Sequence, residues 1–181
     1  MRVISGKYKK MDLKGFNIEG IRPTMDKVKE SVFAMINEYI EDSICLDLFS
    51  GSGALGIEAL SNGSKYVYFN DKSKDSINII KYNLNKIKDT NYTVFNEDYI
   101  NILKKFSNNS TKFDIIFIDP PYGKVLIKEI IKEILKYNIL NKNGILVCEY
   151  ENENLEENYE NLELIKDRKY GRVYIKIYKS R

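Results

Sequence analysis

The chain has 181 residues, of which 43% are apolar and 30% charged, a balance typical of one globular domain with a sizeable core. It contains no histidine, and its two cysteines stand in apolar runs without a metal-ligand spacing, so a Ser-His-Asp triad, histidine general bases and most zinc sites are excluded. No apolar run approaches the ~20 residues of a membrane span, and the first residues lack a signal-peptide core. We therefore expect a cytoplasmic protein without a membrane partner or a metal.

Charge is unevenly distributed along the chain. Residues 1–29 carry eight Lys or Arg against three acids, and residues 166–181 carry seven against one, which gives net charges of +5 and +6. Residues 149–163 carry seven glutamates and no base. This pattern favours one face for a polyanion and another that faces solvent, although ordinary solvated charge explains it equally well.

The N-terminal region predicts a small extension ahead of the main domain. Residues 2–5 and 16–20 are short extended segments around a Lys-rich turn, which predicts a hairpin. A helix opens at Arg22-Pro23-Thr24, with Thr24 as its expected N-cap. We expect residues 1–40 to form this hairpin and helix, as an RNA and cofactor lid, and residues 41–181 to form the main domain.

From residue 44 the pattern alternates between apolar strands and amphipathic helices. Near-continuous apolar strands separated by helices indicate a parallel sheet covered on both faces. Two late strands, near 162–166 and 173–178, have no helix between them, so we expect a hairpin with one antiparallel strand. The predicted fold is α/β and Rossmann-like, with a seven-stranded, mostly parallel sheet. The other predicted strands are 44–49, 66–69, 92–95, 113–118 and 145–150, and the helices between them are 54–61, 73–88, 99–106 and 125–137.

A glycine loop follows the first strand of the alternating region and opens a helix. Gly51 and Gly53 allow a tight turn and a close backbone approach to a ligand, and the helix N-terminus offers free N–H groups to an anion. The run also satisfies the G-x-G-x-x-G spacing of dinucleotide sites. Taken alone, the loop does not choose between cofactors.

Acidic residues follow the second and third strands. Asp71 ends the second strand, where a carboxylate can accept hydrogen bonds from both hydroxyls of a ribose. Asp98 follows the third strand, where it could accept a hydrogen bond from an adenine amino group. Each acid could instead cap the helix that follows it.

The fourth strand ends in Asp119-Pro120-Pro121-Tyr122. The two prolines fix φ and remove two N–H groups, and each pushes the preceding residue out of helical space. A rigid extended corner therefore holds a carboxylate, backbone carbonyls and an aromatic ring together. This geometry suits binding of a flat nitrogen base through its amino group, and predicts methyl transfer to an exocyclic amine.

With these motifs the chain resembles class I S-adenosylmethionine-dependent methyltransferases. More narrowly, it is similar to the bacterial RsmD family, which methylates N2 of one guanine in small-subunit ribosomal RNA. The resemblance covers nearly the whole chain. Its motifs are Arg2-Val3-Ile4-Ser5-Gly6, residues 22–30, residues 46–60, Asp119-Pro120-Pro121-Tyr122 and Tyr170-Gly171.

The resemblance implies a cofactor site for S-adenosylmethionine, with S-adenosylhomocysteine as product. The Gly51 to Gly53 backbone, with Asp47 behind it, would hold the methionine half of the cofactor. Asp71 would hold the ribose and Asp98 the adenine, while Arg22 and Thr24 would close over the cofactor. The remaining expected contacts come from Phe49, Ser50 and Tyr99.

The resemblance also implies the catalytic and substrate contacts. Asp119 and the carbonyl of Pro120 would accept hydrogen bonds from the amine of a flipped guanine, and Tyr122 would stack on that base. The partner would be 16S ribosomal RNA or the small ribosomal subunit, and a monomer is expected. The other expected substrate contacts are Pro121, Arg2, Lys7, Lys9 and Lys10.

Several other functions share part of these motifs. An N6-adenine or other amino methyltransferase acting on nucleic acid would use the same four. A nicotinamide-dependent oxidoreductase fits the glycine loop but leaves Asp119 to Tyr122 unexplained. An RNA-binding module with a vestigial cofactor pocket fits the basic termini but has no use for an adenosine-shaped pocket.

Overall fold

The computed structural model describes residues 1–15, 22–121 and 127–181, with residues 22–25 described by their backbone alone. The described helices are α1 (Arg22–Ile40), α2 (Ala54–Ser61), α3 (Lys74–Leu84), α4 (Tyr99–Asn108) and α5 (Ile127–Tyr137). The described strands are β1 (Ile44–Asp47), β2 (Tyr66–Asn70), β3 (Tyr92–Phe95), β4 (Phe113–Ile118), β5 (Leu140–Tyr150), β6 (Asn158–Tyr159), β7 (Leu162–Tyr170) and β8 (Val173–Ser180).

One sheet contains all of these strands in the order β3-β2-β1-β4-β5-β8-β7-β6. Strands β1 to β5 run parallel to one another, and β8 lies antiparallel between β5 and β7. The predicted mostly parallel sheet with a C-terminal hairpin is thus confirmed, but it has eight strands rather than seven. The extra strand, β6, is a two-residue edge in an Asn- and Glu-rich stretch that shows no strand pattern.

Helices cover both faces of the sheet, as predicted. Helices α1, α2 and α3 pack with one apolar cluster, and α4 and α5 pack with the other. On the first face, Phe33 of α1 stacks on Phe117 of β4 with ring centroids 5.8 Å apart. This contact places α1 over the carboxyl half of β4.

The N-terminal residues form a hairpin, but the first segment pairs with residues nearer in the sequence than the predicted 16–20. Val3 N donates to Met11 O at 2.9 Å, and Leu13 N donates to Met1 O at 2.9 Å. The predicted partner, 16–20, lies outside the described residues. Helix α1 begins at Arg22, so Thr24 lies in its first turn and the expected N-cap was wrong. Proline is tolerated in a first turn, because the N–H it lacks has no helical partner there.

Strand β5 begins five residues before the prediction. Phe113 pairs with Leu140 and Ile115 with Ile145, so residues 141–144 are accommodated as an irregularity within one strand. The sequence alone predicts a turn from Asn141 to Gly144, but these residues form a bulge within β5. Within the described ranges, no helix has the length and apolarity needed to cross a membrane.

Candidate active site

The glycine loop forms a tight turn between β1 and α2. Gly51 and Gly53 have φ angles of 54° and 80°, a left-handed region in which a Cβ is strained. Gly53 N donates to Ser50 O at 2.6 Å, which closes the turn. The buried Ser50 also donates through Oγ to Asp47 O at 2.7 Å. The loop is thus held at the carboxyl edge of the sheet, where ligands bind in open α/β folds.

Asp47 lies behind this loop, almost fully buried at the end of β1. Its Oδ2 accepts a hydrogen bond from Gly56 N at 3.0 Å, so it fixes the first turn of α2. Burial raises the pKa of Asp47 to about 7, with further contributions from the negative charges of Asp119 and Asp71. A cation near this edge would favour the ionised form.

Gly56 is needed for the close approach of α2 to β2. A Cβ at Gly56 would lie 2.2 Å from Cε1 of Phe69, a distance that no side chain tolerates. The third glycine of the loop motif therefore sets the distance between helix and sheet, and through Gly56 N it also sets the position of Asp47.

Asp71 binds the glycine loop directly. Its Oδ2 accepts from Gly51 N at 2.9 Å, and its Oδ1 accepts from Ser73 N at 2.8 Å. The N-cap of α3 is Ser73, whose Oγ accepts from Ser76 N, so the alternative of Asp71 as that cap was wrong. Asp71 is only partly buried and remains open to a ligand hydroxyl.

Asn70 is a positioning residue that sequence analysis missed. This buried side chain donates through Nδ2 to Leu48 O and Glu97 O, each at 3.2 Å, and accepts from Glu97 N at 3.3 Å. Its backbone exchanges hydrogen bonds with Ser50. Asn70 thus ties the loops after β1, β2 and β3 together. The signal that could have identified Asn70 is a polar residue at the end of an apolar strand.

Asp98 is the N-cap of α4, the alternative role that the sequence also allows for this residue. Its Oδ1 accepts from Ile100 N at 3.1 Å, and its Oδ2 lies 3.2 Å from Nζ of Lys72. These contacts leave further lone pairs on a partly exposed carboxylate. Beside it the rings of Phe49 and Tyr99 lie 5.6 Å apart, and they form an apolar wall at the same edge.

The corner after β4 lies at the same edge, between β1 and β5. Asp119 is partly buried, Pro120 is buried and Pro121 is exposed, while Tyr122 lies outside the described residues. Burial raises the pKa of Asp119 to about 7. Glu149, at the end of β5, was not singled out from the sequence, and its pKa is also raised well above the ordinary value, by burial and then by the charge of Asp119.

The N-terminal basic residues lie in two places. Lys7 Nζ pairs with Asp89 Oδ2 at 2.7 Å, beyond the C-terminal end of α3 and so near the opposite edge of the sheet. Arg2, Lys9 and Lys10 line a cavity of about 680 Å³ against α1. The side chains of Arg22 and Thr24 lie outside what the structure describes. Within the described ranges, no group of three or more candidate metal ligands converges, so these side chains offer no metal centre.

Comparison with known proteins gives matches along the whole chain. A family model described as "Conserved hypothetical protein 95" matches residues 1–179. The chain is 36% identical over 182 residues to "Ribosomal RNA small subunit methyltransferase D" of Haemophilus influenzae. This alignment covers 99% of the chain and 94% of the relative. The Escherichia coli protein of the same name is 34% identical over 149 residues, covering 82% of this chain and 71% of the relative.

Solved structures agree with these relatives. The protein yhhF of Escherichia coli superimposes with a TM-score of 0.87 at 29% identity, covering 100% of this chain and 98% of that one. SMU.776, solved in complex with S-adenosylhomocysteine, is 19% identical and has a TM-score of 0.65, covering 86% of this chain and 49% of its own length. At 19% identity, the likeness to SMU.776 shows a shared fold and nothing beyond it.

These similarities, together with the strand order and the glycine loop, define the chain as a methyltransferase with the Rossmann-like class I fold. Its matches to the family model and to the Haemophilus protein run over nearly its full length. The chain belongs to the RsmD family, named for ribosomal RNA small subunit methyltransferase D.

Proposed function

We propose that this protein methylates the exocyclic N2 of a guanine in 16S ribosomal RNA. The observation that carries the proposal is the position of Asp119, a partly buried carboxyl at the end of β4. The strand beside it, β1, leads into the glycine loop. The names of the relatives support ribosomal RNA of the small subunit as substrate.

The cofactor roles follow from positions along the carboxyl edge. The turn from Gly51 to Gly53 presents backbone to the methionine half of S-adenosylmethionine, and Asp47 lies behind that turn. Asp71 accepts from the ribose hydroxyls with lone pairs left over from Gly51 N and Ser73 N. Asp98 accepts from the adenine amino group beside the wall of Phe49 and Tyr99. Ser50 keeps the turn in place, and Arg22 and Thr24 close over the cofactor.

Catalysis rests on orienting a poor nucleophile. The lone pair of the guanine amine is delocalised into the ring, and two fixed acceptors, the Asp119 carboxylate and the Pro120 carbonyl, draw that nitrogen toward a tetrahedral shape. Bound S-adenosylmethionine supplies a methyl group activated by its sulfonium. Transfer of that methyl group to the amine nitrogen would release S-adenosylhomocysteine as the leaving group and one proton to solvent. Positioning of this kind contributes several kcal/mol to lowering the barrier.

The rest of the substrate lies against the N-terminal face. Tyr122 stacks on the flipped base and Pro121, which is exposed, borders it. Arg2, Lys7, Lys9 and Lys10 contact RNA phosphates; Arg2, Lys9 and Lys10 share one cavity, and Lys7 pairs with Asp89. We propose that residues 1–40 act as the RNA and cofactor lid of the 41–181 domain, and that the protein is a cytoplasmic monomer.

Methyl transfer to small ribosomal subunits that lack the modification tests the proposal. Label from S-adenosylmethionine should appear in 16S RNA, and nucleoside mass analysis should identify N2-methylguanosine. Recovery of N6-methyladenosine would instead support the amino methyltransferase alternative. Cofactor and RNA binding with no label transfer would support the RNA-binding module.

A further inference from the structure

Asp119 and Glu149 occupy matching positions on neighbouring parallel strands. The last aligned pair of β4 and β5 is Ile118 with Cys148; Asp119 directly follows the end of β4, and Glu149 is the next residue of β5. Paired Phe117 and Val147, two residues earlier, belong to the apolar cluster under α1. Because side chains alternate along a strand, Asp119 and Glu149 project to this same face, about one strand spacing, ~4.8 Å, apart.

Among the described side chains, those of residues 1–15, 26–121 and 127–181, neither carboxyl has a hydrogen-bond or ion-pair partner, and both residues are partly buried. Other acids in comparable positions are satisfied: Asp47 accepts from Gly56 N, and Asp71 accepts from two backbone N–H groups. A carboxyl removed from water without a donor is costly, and burial raises the pKa values of both groups accordingly. The pair is arranged to receive hydrogens from outside the described chain.

A pair of carboxyl acceptors selects among bases in a way that a single acceptor does not, because the bases differ in how many donors they carry. Guanine carries N–H donors on two nitrogens of its Watson–Crick edge that are both bonded to C2, one hydrogen at N1 and two on the N2 amine. Adenine and 2-aminopurine each carry an amine, but N1 is a bare lone pair in both. Two carboxyl groups side by side therefore match guanine, whereas a lone pair at N1 would face a carboxylate oxygen.

We infer that Glu149 accepts the N1 hydrogen of the target guanine while Asp119 accepts from its N2 amine, so that Glu149 selects guanine over bases with an unprotonated N1. This inference rests on the proposed guanine methylation. It gives β5 a role in specificity and β4 a role in catalysis.

The test uses small subunits whose 16S RNA carries 2-aminopurine in place of the target guanine. This base keeps the amine that is methylated but presents a lone pair at N1. The wild-type protein should prefer guanine by at least ~100-fold in kcat/KM, because a site built around a donor rejects an analogue that lacks it. The amide of Glu149→Gln can donate to that lone pair. This variant should therefore reduce the preference for guanine over 2-aminopurine in kcat/KM at least ~10-fold. A different intrinsic reactivity of 2-aminopurine affects both proteins equally and cancels in this comparison.

The matched control is Glu151→Gln, which removes a nearby negative charge two residues farther along and should keep the wild-type preference. Calorimetric affinity for S-adenosylmethionine checks that each variant is folded. A Glu149→Gln protein that retains the wild-type preference would overturn the inference.

A second probe uses the wild-type protein alone, so it does not depend on how a variant folds. Subunits with 1-methylguanine at the target position should not be methylated, since the methyl group replaces the hydrogen that Glu149 accepts. Normal turnover on that base would also overturn the inference. If instead the wild-type protein fails to methylate guanine itself, the proposed function fails and not only the role of Glu149.

Discussion

Nζ of Lys29 lies 3.0 Å from Oε2 of Glu58, and both side chains are almost completely removed from solvent, with exposures of 5% and 0%. The same carboxylate accepts from Ile4 N at 2.9 Å and from Ser5 N at 2.8 Å, while Lys29 donates to Arg2 O. One buried ion pair thus joins α1, α2 and the N-terminal segment. It sets where the basic residues of that segment lie relative to the sheet.

Removing Glu58 should strongly destabilise the protein. Glu58→Ala leaves the Lys29 charge buried without its counterion and leaves two backbone N–H groups without an acceptor. We expect the free energy of unfolding to fall by about 3–5 kcal/mol, measured by urea denaturation. As a control, Glu133→Ala removes an exposed ion pair with Lys136 and should cost at most ~1 kcal/mol. Equal losses in the two variants would contradict a special role for the buried pair.

Gly56 should not tolerate a methyl group. Gly56→Ala places a Cβ 2.2 Å from the Phe69 ring, so α2 must move outward and take its hydrogen bond to Asp47 with it. We expect a loss of about 1–3 kcal/mol in stability and weaker binding of S-adenosylmethionine, measured by thermal denaturation and calorimetry. The double variant Gly56→Ala/Phe69→Leu removes the ring that clashes and should recover part of both losses. No recovery would show that the ring is not the obstacle.

The elements that carry repeated local signals could be predicted from the sequence. Apolar strands alternating with helices predicted the parallel sheet, and two strands without a helix between them predicted the hairpin of β7 and β8. Both predictions were possible because each pattern lies in consecutive residues. Strand β6 could not be predicted, since two residues in an acidic stretch become a strand only through pairing with β7. Residues 141–144 read as a turn because the pairing of Phe113 that draws them into β5 comes from a distant strand.

The candidate site divides in the same way. Asp71, Asp98 and Asp119 could be identified because each comes after a strand that the sequence predicts, and Asp47 because it precedes the glycine loop in the family motif. Asn70, Glu58 and Glu149 could not, because their roles depend on partners 22 or more residues away or on register with another strand. Side-chain networks of this kind leave no periodic trace in one sequence.

Asp119 should be required for methyl transfer but not for cofactor binding. Asp119→Ala removes one of the two acceptors that orient the amine, so the single-turnover rate should fall at least ~100-fold. The affinity for S-adenosylmethionine, measured by calorimetry, should stay close to that of the wild type. A variant that turns over at the normal rate would show that this carboxyl does not orient the substrate.

The raised pKa of Asp119 should appear in the pH dependence of stability. The folded protein binds this proton up to about pH 7, whereas the unfolded chain loses it near the ordinary value of 3.8. Between these values the unfolded state holds fewer protons, so the free energy of unfolding should fall as pH rises from about 4 to about 7 and then level off. In Asp119→Asn the fall should be smaller, so its stability relative to wild type should rise from pH 5 to pH 8 in urea denaturation. Parallel curves for the two proteins would contradict this pKa shift.

The insertion of β8 beside β5 has a consequence for how the nascent chain matures. Strand β5 gains its second neighbour from residues 173–180, with Glu149 aligned to Ile175. During translation the first five strands can assemble early, but β5 keeps an open border until the hairpin of β7 and β8 emerges. Pairing with β8, which is made after β5, is therefore the step that completes the surroundings of Glu149.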